Sequence, residues 1–214
     1  GVWWGARGRA DGGARVWVGF PGGVGGGDDG RVARLVNSWA GRGGAYRDPI
    51  ERLAGLGRVL GSAPEGLVGG HGAPSSGGAA VRTALADYRD SIQFLWDQTV
   101  RWTNRGASGA ELAHRIRLPE AFGDDWITQQ HYGLVEHHVR QNRSGLFGFF
   151  DGDPINLLPL DRSEHADRTV AAMGGPDAVR AACRSALQPS TDGSDGDLRW
   201  AVHLAALAAD RSDA

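Results

Sequence analysis

Four side chains in this sequence have the type and spacing to do chemistry. They are a carboxylate in "GGGDDG", the amide and guanidinium of "NSWAGRGG", and the imidazole of "LVGGHGAP". Asp28-Asp29 closes a glycine-rich loop behind the alternating run "ARVWVGF", and His71 follows the apolar pair Leu67-Val68. Each therefore stands at the end of a predicted strand, where α/β proteins carry groups that meet substrates or metals. A carboxylate and an imidazole converging from two strand ends suit zinc. Either residue alone also reads as an ordinary turn residue in a Gly/Pro-rich bend. Asn37 and Arg42 could grip an oxyanion, the guanidinium by a bidentate fork and the amide as a further donor. The competing reading of that pair is a salt-bridged surface loop.

Several other chemistries are excluded. The run "GFPGGVGGGDD" lacks the lysine of a phosphate loop; the chain has no lysine, and its 23 basic residues are all arginine. Those arginines are dispersed among 25 Asp and Glu, with a net charge of −2, so no nucleic-acid footprint is expected. Cys183 is the only cysteine, which rules out an internal disulfide and any cysteine-based zinc site. It falls in an alanine-rich helical pattern and is expected to be buried as a small apolar residue. His137 and His138 are adjacent on a predicted helix and point in different directions, a poor joint chelate, so one should face a neighbouring surface. No apolar run has membrane-spanning length, and "GVWWGARGRADGG" lacks the apolar core of a signal peptide.

The elements that must position these groups change character along the chain. Up to about residue 76 the pattern is α/β: the strand "ARVWVGF", a loop "PGGVGGGDDG", a helix "PIERLAGLGRVLGS" opened by Pro49, and the short strand of "EGLVGGHG". From Gly77 the pattern is helical. Val81, Leu85, Tyr88, Ile92, Leu95, Thr99 and Trp102 share one stripe of a long helix that ends near Asn104-Arg105-Gly106. Ser108 and Glu111 have the spacing of a capping box for the next helix, and "YGLVEHHVRQNRSG" supplies another. After the turn-rich "DGDPINLLPL" come three further helices, the first capped by Asp161 and the second opened by Pro176.

The ordered set "NSWAGRGGAYRDPIERLAGLGRVL", "LVGGHGAPSSG", "YRDSIQFLWDQTVRWTNRGAS", "YGLVEHHVR" and "GFFDGDPINLLPL" resembles the alkyl sulfatase branch of the metallo-β-lactamase superfamily. The resemblance runs from about Asp28 to Ala209. It implies that residues 1–76 are an α/β fragment, the second half of a metallo-β-lactamase αββα sandwich. It implies that residues 77–214 are an all-α dimerisation domain. By the same resemblance Asp29 and His71 are metal ligands in a site that holds two zinc ions in the complete family enzyme, and Asn37 and Arg42 hold the sulfate group. Zinc would lower the pKa of a bound water toward neutrality, and the reaction would release an alcohol and inorganic sulfate from an alkyl sulfate ester. The family's His-x-His-x-Asp-His motif is absent from these 214 residues, so the metal site here is expected to be incomplete and the isolated chain inactive or nearly so. A homodimer through the helices between Tyr88 and Phe150 is expected. Two other readings stay open: a non-catalytic helical dimerisation or scaffold protein with a vestigial lactamase-fold segment, and a lactamase-fold hydrolase of a different ester.

Overall fold

A computed structural model describes residues 47–67, 75–122, 127–130, 133–188 and 196–212, together with the backbone of five short strands between residues 3 and 27. Those strands are β1 (Trp3–Gly5), β2 (Arg9–Ala10), β3 (Gly13–Ala14), β4 (Val16–Phe20) and β5 (Gly23–Gly27). β4 is the centre of an antiparallel sheet ordered β1-β4-β5, with Trp4 opposite Val18 and Val18 opposite Gly25, while β2 and β3 form a separate hairpin. β4 is the strand expected at "ARVWVGF". The reading of "PGGVGGGDDG" as loop is corrected for its Gly23–Gly27 part, which is strand. Glycine has a poor strand propensity, but every backbone amide it carries can join a ladder when a good strand former such as β4 lies alongside.

The chain divides into two compact units, Gly1–Asp153 and Pro154–Ala214. In the first, α1 (Pro49–Gly61) starts as its sequence requires: Pro49 takes the first turn and Asp48 accepts a hydrogen bond from Ile50 N–H at 2.8 Å. Its buried face is Leu53, Leu56 and Val59. The hairpin of β6 (Gly66–Leu67) and β7 (Ser75–Ser76) follows, pairing Leu67 with Ser75.

The 26-residue α2 (Gly78–Thr103) is uninterrupted because no glycine or proline falls between Ala79 and Thr103. The predicted stripe is the observed one. Val81, Leu85, Tyr88, Ile92, Leu95 and Thr99 are all at most 3% exposed, and Trp102 is half-buried. Each fully buried Leu or Ile of that stripe contributes about 1.5–3 kcal/mol relative to exposure. Its upper half meets α1, Leu67 and Ile127 in one core cluster; its lower half meets Leu112, Ile116, Val135 and Val139 in a second.

Leu112 comes from α3 (Gly109–Arg115), Ile116 directly follows that helix, and Val135 and Val139 come from α4 (Val135–Phe147). The capping box at α3 is formed as expected, Glu111 N–H donating to Ser108 Oγ and Ser108 N–H to Glu111 Oε2 at 2.8 Å. The second unit packs α5 (Arg162–Ala172), α6 (Pro176–Ala186) and α7 (Gly196–Ala209) around Val170, Val179 and Leu204. Asp161 caps α5 and Pro176 opens α6, both as expected.

Candidate functional site

Asp29, Asn37, Arg42 and His71 all lie outside the described residues, as does Asp28. The structure does describe what adjoins them in the chain. The Asn37–Arg42 stretch leads into Asp48 and the anchored start of α1, and residues 68–74, which include His71, join two strands paired at Leu67 and Ser75. Both stretches are thus followed closely by elements seated in the same core cluster. Arg52 on α1 is 6% exposed, and its Nη1 finds no hydrogen-bond acceptor among the described residues.

Among the described residues no group of three or more His, Cys, Asp or Glu side chains is placed to hold a metal ion. The two histidines of α4 part company as their adjacency predicts. His138 is 2% exposed inside the unit, whereas His137 is partly exposed and lies 3.8 Å from Glu136. Cys183 is half-buried, its thiol aimed at the Ala201 carbonyl oxygen at 3.7 Å.

A second candidate site is apolar. Leu146, Phe147, Phe149 and Phe150 at the end of the first unit are exposed, Phe149 at 89%. Ile155, Leu157, Leu158 and Leu160 at the start of the second are exposed too, Leu158 at 88%. Along this segment the first unit ends in one run, 146–150, and the second begins with another, 155–160. Each sets four large apolar side chains toward solvent, and each by itself is the kind of patch that protein surfaces cover.

Arg143 supports the first half of this segment. It is 7% exposed on α4, donates from Nε to the Ala107 carbonyl oxygen at 3.1 Å, and donates from Nη1 to the Asp151 carbonyl oxygen at 2.5 Å. Its guanidinium also lies 4.7 Å from the centre of the Phe147 ring. Asp151 Oδ1 in turn accepts from Asp153 N–H at 2.9 Å. Gly152 between them has φ +96°, and a β-carbon there would stand 3.0 Å from Arg143 Nη2, so the turn needs glycine on both counts. One buried arginine thus ties α4, the end of the α2–α3 link and the "DGD" turn together. The sequence reading missed Arg143. Its only signal was an arginine at a position of α4 that shares the buried face with Val139.

Two carboxylates have clear electrostatic assignments. Hydrogen bonds from the Ser108 backbone and side chain hold Glu111 below its ordinary value, and bonds from Ser163 and Glu164 do the same for Asp161. Both are cap residues, so their charge serves helix starts.

Residues 108–213 match the family described as alkyl sulfatase dimerisation. A linear primary-alkylsulfatase of Pseudomonas sp. is 38% identical over 168 residues, which are 78% of this chain and 31% of that relative. The alkyl/aryl-sulfatase BDS1 of Saccharomyces cerevisiae is 32% identical over 146 residues, 68% of this chain and 22% of its own length. Among solved structures, the stereoselective inverting sec-alkylsulfatase Pisa1 from Pseudomonas sp. matches with a TM-score of 0.78 at 31% identity, over 89% of this chain and 30% of that one. This chain spans less than a third of the length of each of these relatives.

Proposed function

Because the chain belongs to the alkyl sulfatases and carries their dimerisation domain at residues 108–213, we propose that it is part of a metal-dependent hydrolase that cleaves alkyl sulfate esters to an alcohol and sulfate. The observation that carries this reading is the 168-residue alignment at 38% identity to a linear primary-alkylsulfatase. Under it, residues 1–76 are the end of a metallo-β-lactamase-like catalytic domain and residues 77–214 the helical dimerisation domain.

In this reading Asn37 and Arg42 carry the substrate grip. A guanidinium donates two parallel hydrogen bonds to two sulfate oxygens, and the amide of Asn37 donates to a third. Where the C–O bond breaks under attack of water on carbon, both strengthen, because the leaving sulfate takes the bonding electron pair and spreads the new charge over those oxygens. Where the S–O bond breaks, the charge grows instead on the departing alkoxide oxygen. Asp29 and His71 are donors of the kind zinc accepts, yet two fall short of the three protein ligands of a catalytic zinc site. The 214 residues alone are therefore expected to hold zinc weakly and turn over little substrate. Stoichiometric, tightly held zinc in the purified chain would contradict that.

The test of the function is sulfate release from primary and secondary alkyl sulfates by the protein expressed from its complete reading frame. Arg42→Gln should lower kcat by about 10²–10³-fold, the cost of removing one oxyanion donor. Undiminished release by that variant, or none by the parent, would defeat the proposal.

Within the first unit, the exposed Leu146, Phe147, Phe149 and Phe150 support a homodimer through the helices between Tyr88 and Phe150, since a second copy is the partner that a family dimerisation domain implies. Light scattering should report twice the monomer mass at micromolar concentration, and a monomer would count against it. A second reading, a non-catalytic dimerisation or scaffold protein, rests on the larger share of the described residues that is helical. The same sulfate assay separates the two.

A further inference from the structure

In the unit Pro154–Ala214, the seam between α6 and α7 leaves a solvent-open cavity of about 480 Å³. That volume falls within the roughly 300–1,000 Å³ usual for small-molecule pockets. Its floor is Val179 and Leu204, 1% and 0% exposed, and its walls include Cys183, Ala205 and Ala208. Small side chains on α7, Ala205, Ala208 and Ala209, line the open side of this space. Two guanidiniums stand at the rim. Arg180 is paired with Asp177 at 2.5 Å, whereas among the described residues no carboxylate pairs with Arg184. An apolar trough with one uncompensated cation at its edge matches, in shape and in charge, a molecule with an apolar tail and an anionic head.

We propose that this groove binds an anionic single-chain amphiphile, its alkyl chain along Cys183, Ala205 and Ala208 and its headgroup oxygens on Arg184. The choice of a sulfate over a carboxylate headgroup rests on the proposed function; the groove itself argues only for an anion. Such a site would hold the anionic amphiphile on the helical domain. Arg184 can donate two parallel hydrogen bonds to either headgroup. Each added methylene should tighten binding roughly two- to fourfold, the range expected for partial to full burial of a methylene.

Cys183 provides the readout, because it is the only thiol in the chain and lies in the groove wall. The rate of its alkylation by iodoacetamide should fall saturably as decyl sulfate is added below its micellar concentration, with circular dichroism confirming intact helices. Octyl sulfate should protect at several-fold higher concentration, and decyltrimethylammonium at least tenfold less well than decyl sulfate. Arg184→Gln should weaken decyl sulfate at least tenfold while leaving protection by neutral decanol unchanged. Ala208→Phe, at an exposed position, should abolish protection by all of them.

Absence of protection, survival of protection in Ala208→Phe, or equal protection by the cationic amphiphile would each overturn the proposal. So would a loss of reactivity that depends on protein concentration alone, which would make a second copy the occupant. Decanoate binding better than decyl sulfate would uphold the anion site and overturn the sulfate headgroup. Because labelling does not depend on turnover, failure here leaves the hydrolase reading standing, and failure of that reading leaves this one testable.

Discussion

In the first compact unit α2 meets its neighbours through large side chains: Leu85, Ile92 and Leu95 are at most 3% exposed and interlock with Leu56, Leu112 and Val139. In the second, α6 meets α7 through Val179, Leu204 and a wall of alanines, and a cavity remains. Branched side chains in low-energy rotamers determine how two helices dock, because little can shift without opening a void. Alanine walls let helices approach closely without filling every gap, which leaves room for something else. The first unit is thereby keyed by its side chains, whereas the second keeps the open groove in which the amphiphile is proposed to bind.

The largest test of that contrast is Leu85→Ala, which should cost about 2–5 kcal/mol in urea unfolding, since the packed α2 seam cannot collapse around the hole. Its counterpart, Ala208→Leu on the open groove, should stay within about 0.5 kcal/mol of the parent. A comparable loss from both would mean that the α6–α7 seam is as tightly packed as the α2 seam.

Next in size is Arg143→Met. It leaves the Ala107 and Asp151 carbonyl oxygens without their donor and should cost about 1–3 kcal/mol. Limited proteolysis should then cut more readily near Gly148–Gly152. Unchanged cleavage would show that the apolar segment does not depend on that guanidinium.

The smallest effects come from the helix caps. Ser108→Ala should cost about 1 kcal/mol, measured by thermal unfolding at pH 7. The second unit's cap is a carboxylate, so its contribution should depend on pH. Asp161 sits below its ordinary value of 3.8, so its stabilisation is fully present above that pH and fades as pH falls further, once the folded carboxyl takes up its proton. Asp161→Ala should therefore lower the melting midpoint more at pH 7 than at pH 2. An effect independent of pH would show that the carboxylate charge is not what caps α5.

Much of this helical architecture was legible in advance because the signals are local. The α2 stripe, the Ser108–Glu111 box, the Asp161 cap and Pro176 at the start of α6 depend only on residues within a few positions of each other. The strand β5 was missed for the opposite reason: nothing in "GVGGG" favours a strand, and only its pairing with β4 makes it one. Arg143 escaped notice likewise, since its partners Ala107 and Asp151 come from opposite sides of α4 in the sequence. Asp29, Asn37, Arg42 and His71 are candidates by residue type and spacing, and all four lie outside the described residues.

What the sequence by itself determined is where helices begin and end, which of their faces are apolar, and to which family the chain belongs, because hydrogen-bonded caps and 3.6-residue periodicity are properties of neighbours along the chain. Only the tertiary structure decided that Arg143 is buried and holds the "DGD" turn, that His138 turns inward while His137 does not, and that α6 and α7 leave a groove beside Arg184. Those outcomes depend on how side chains distant in sequence share space, and packing is settled only when the helices meet.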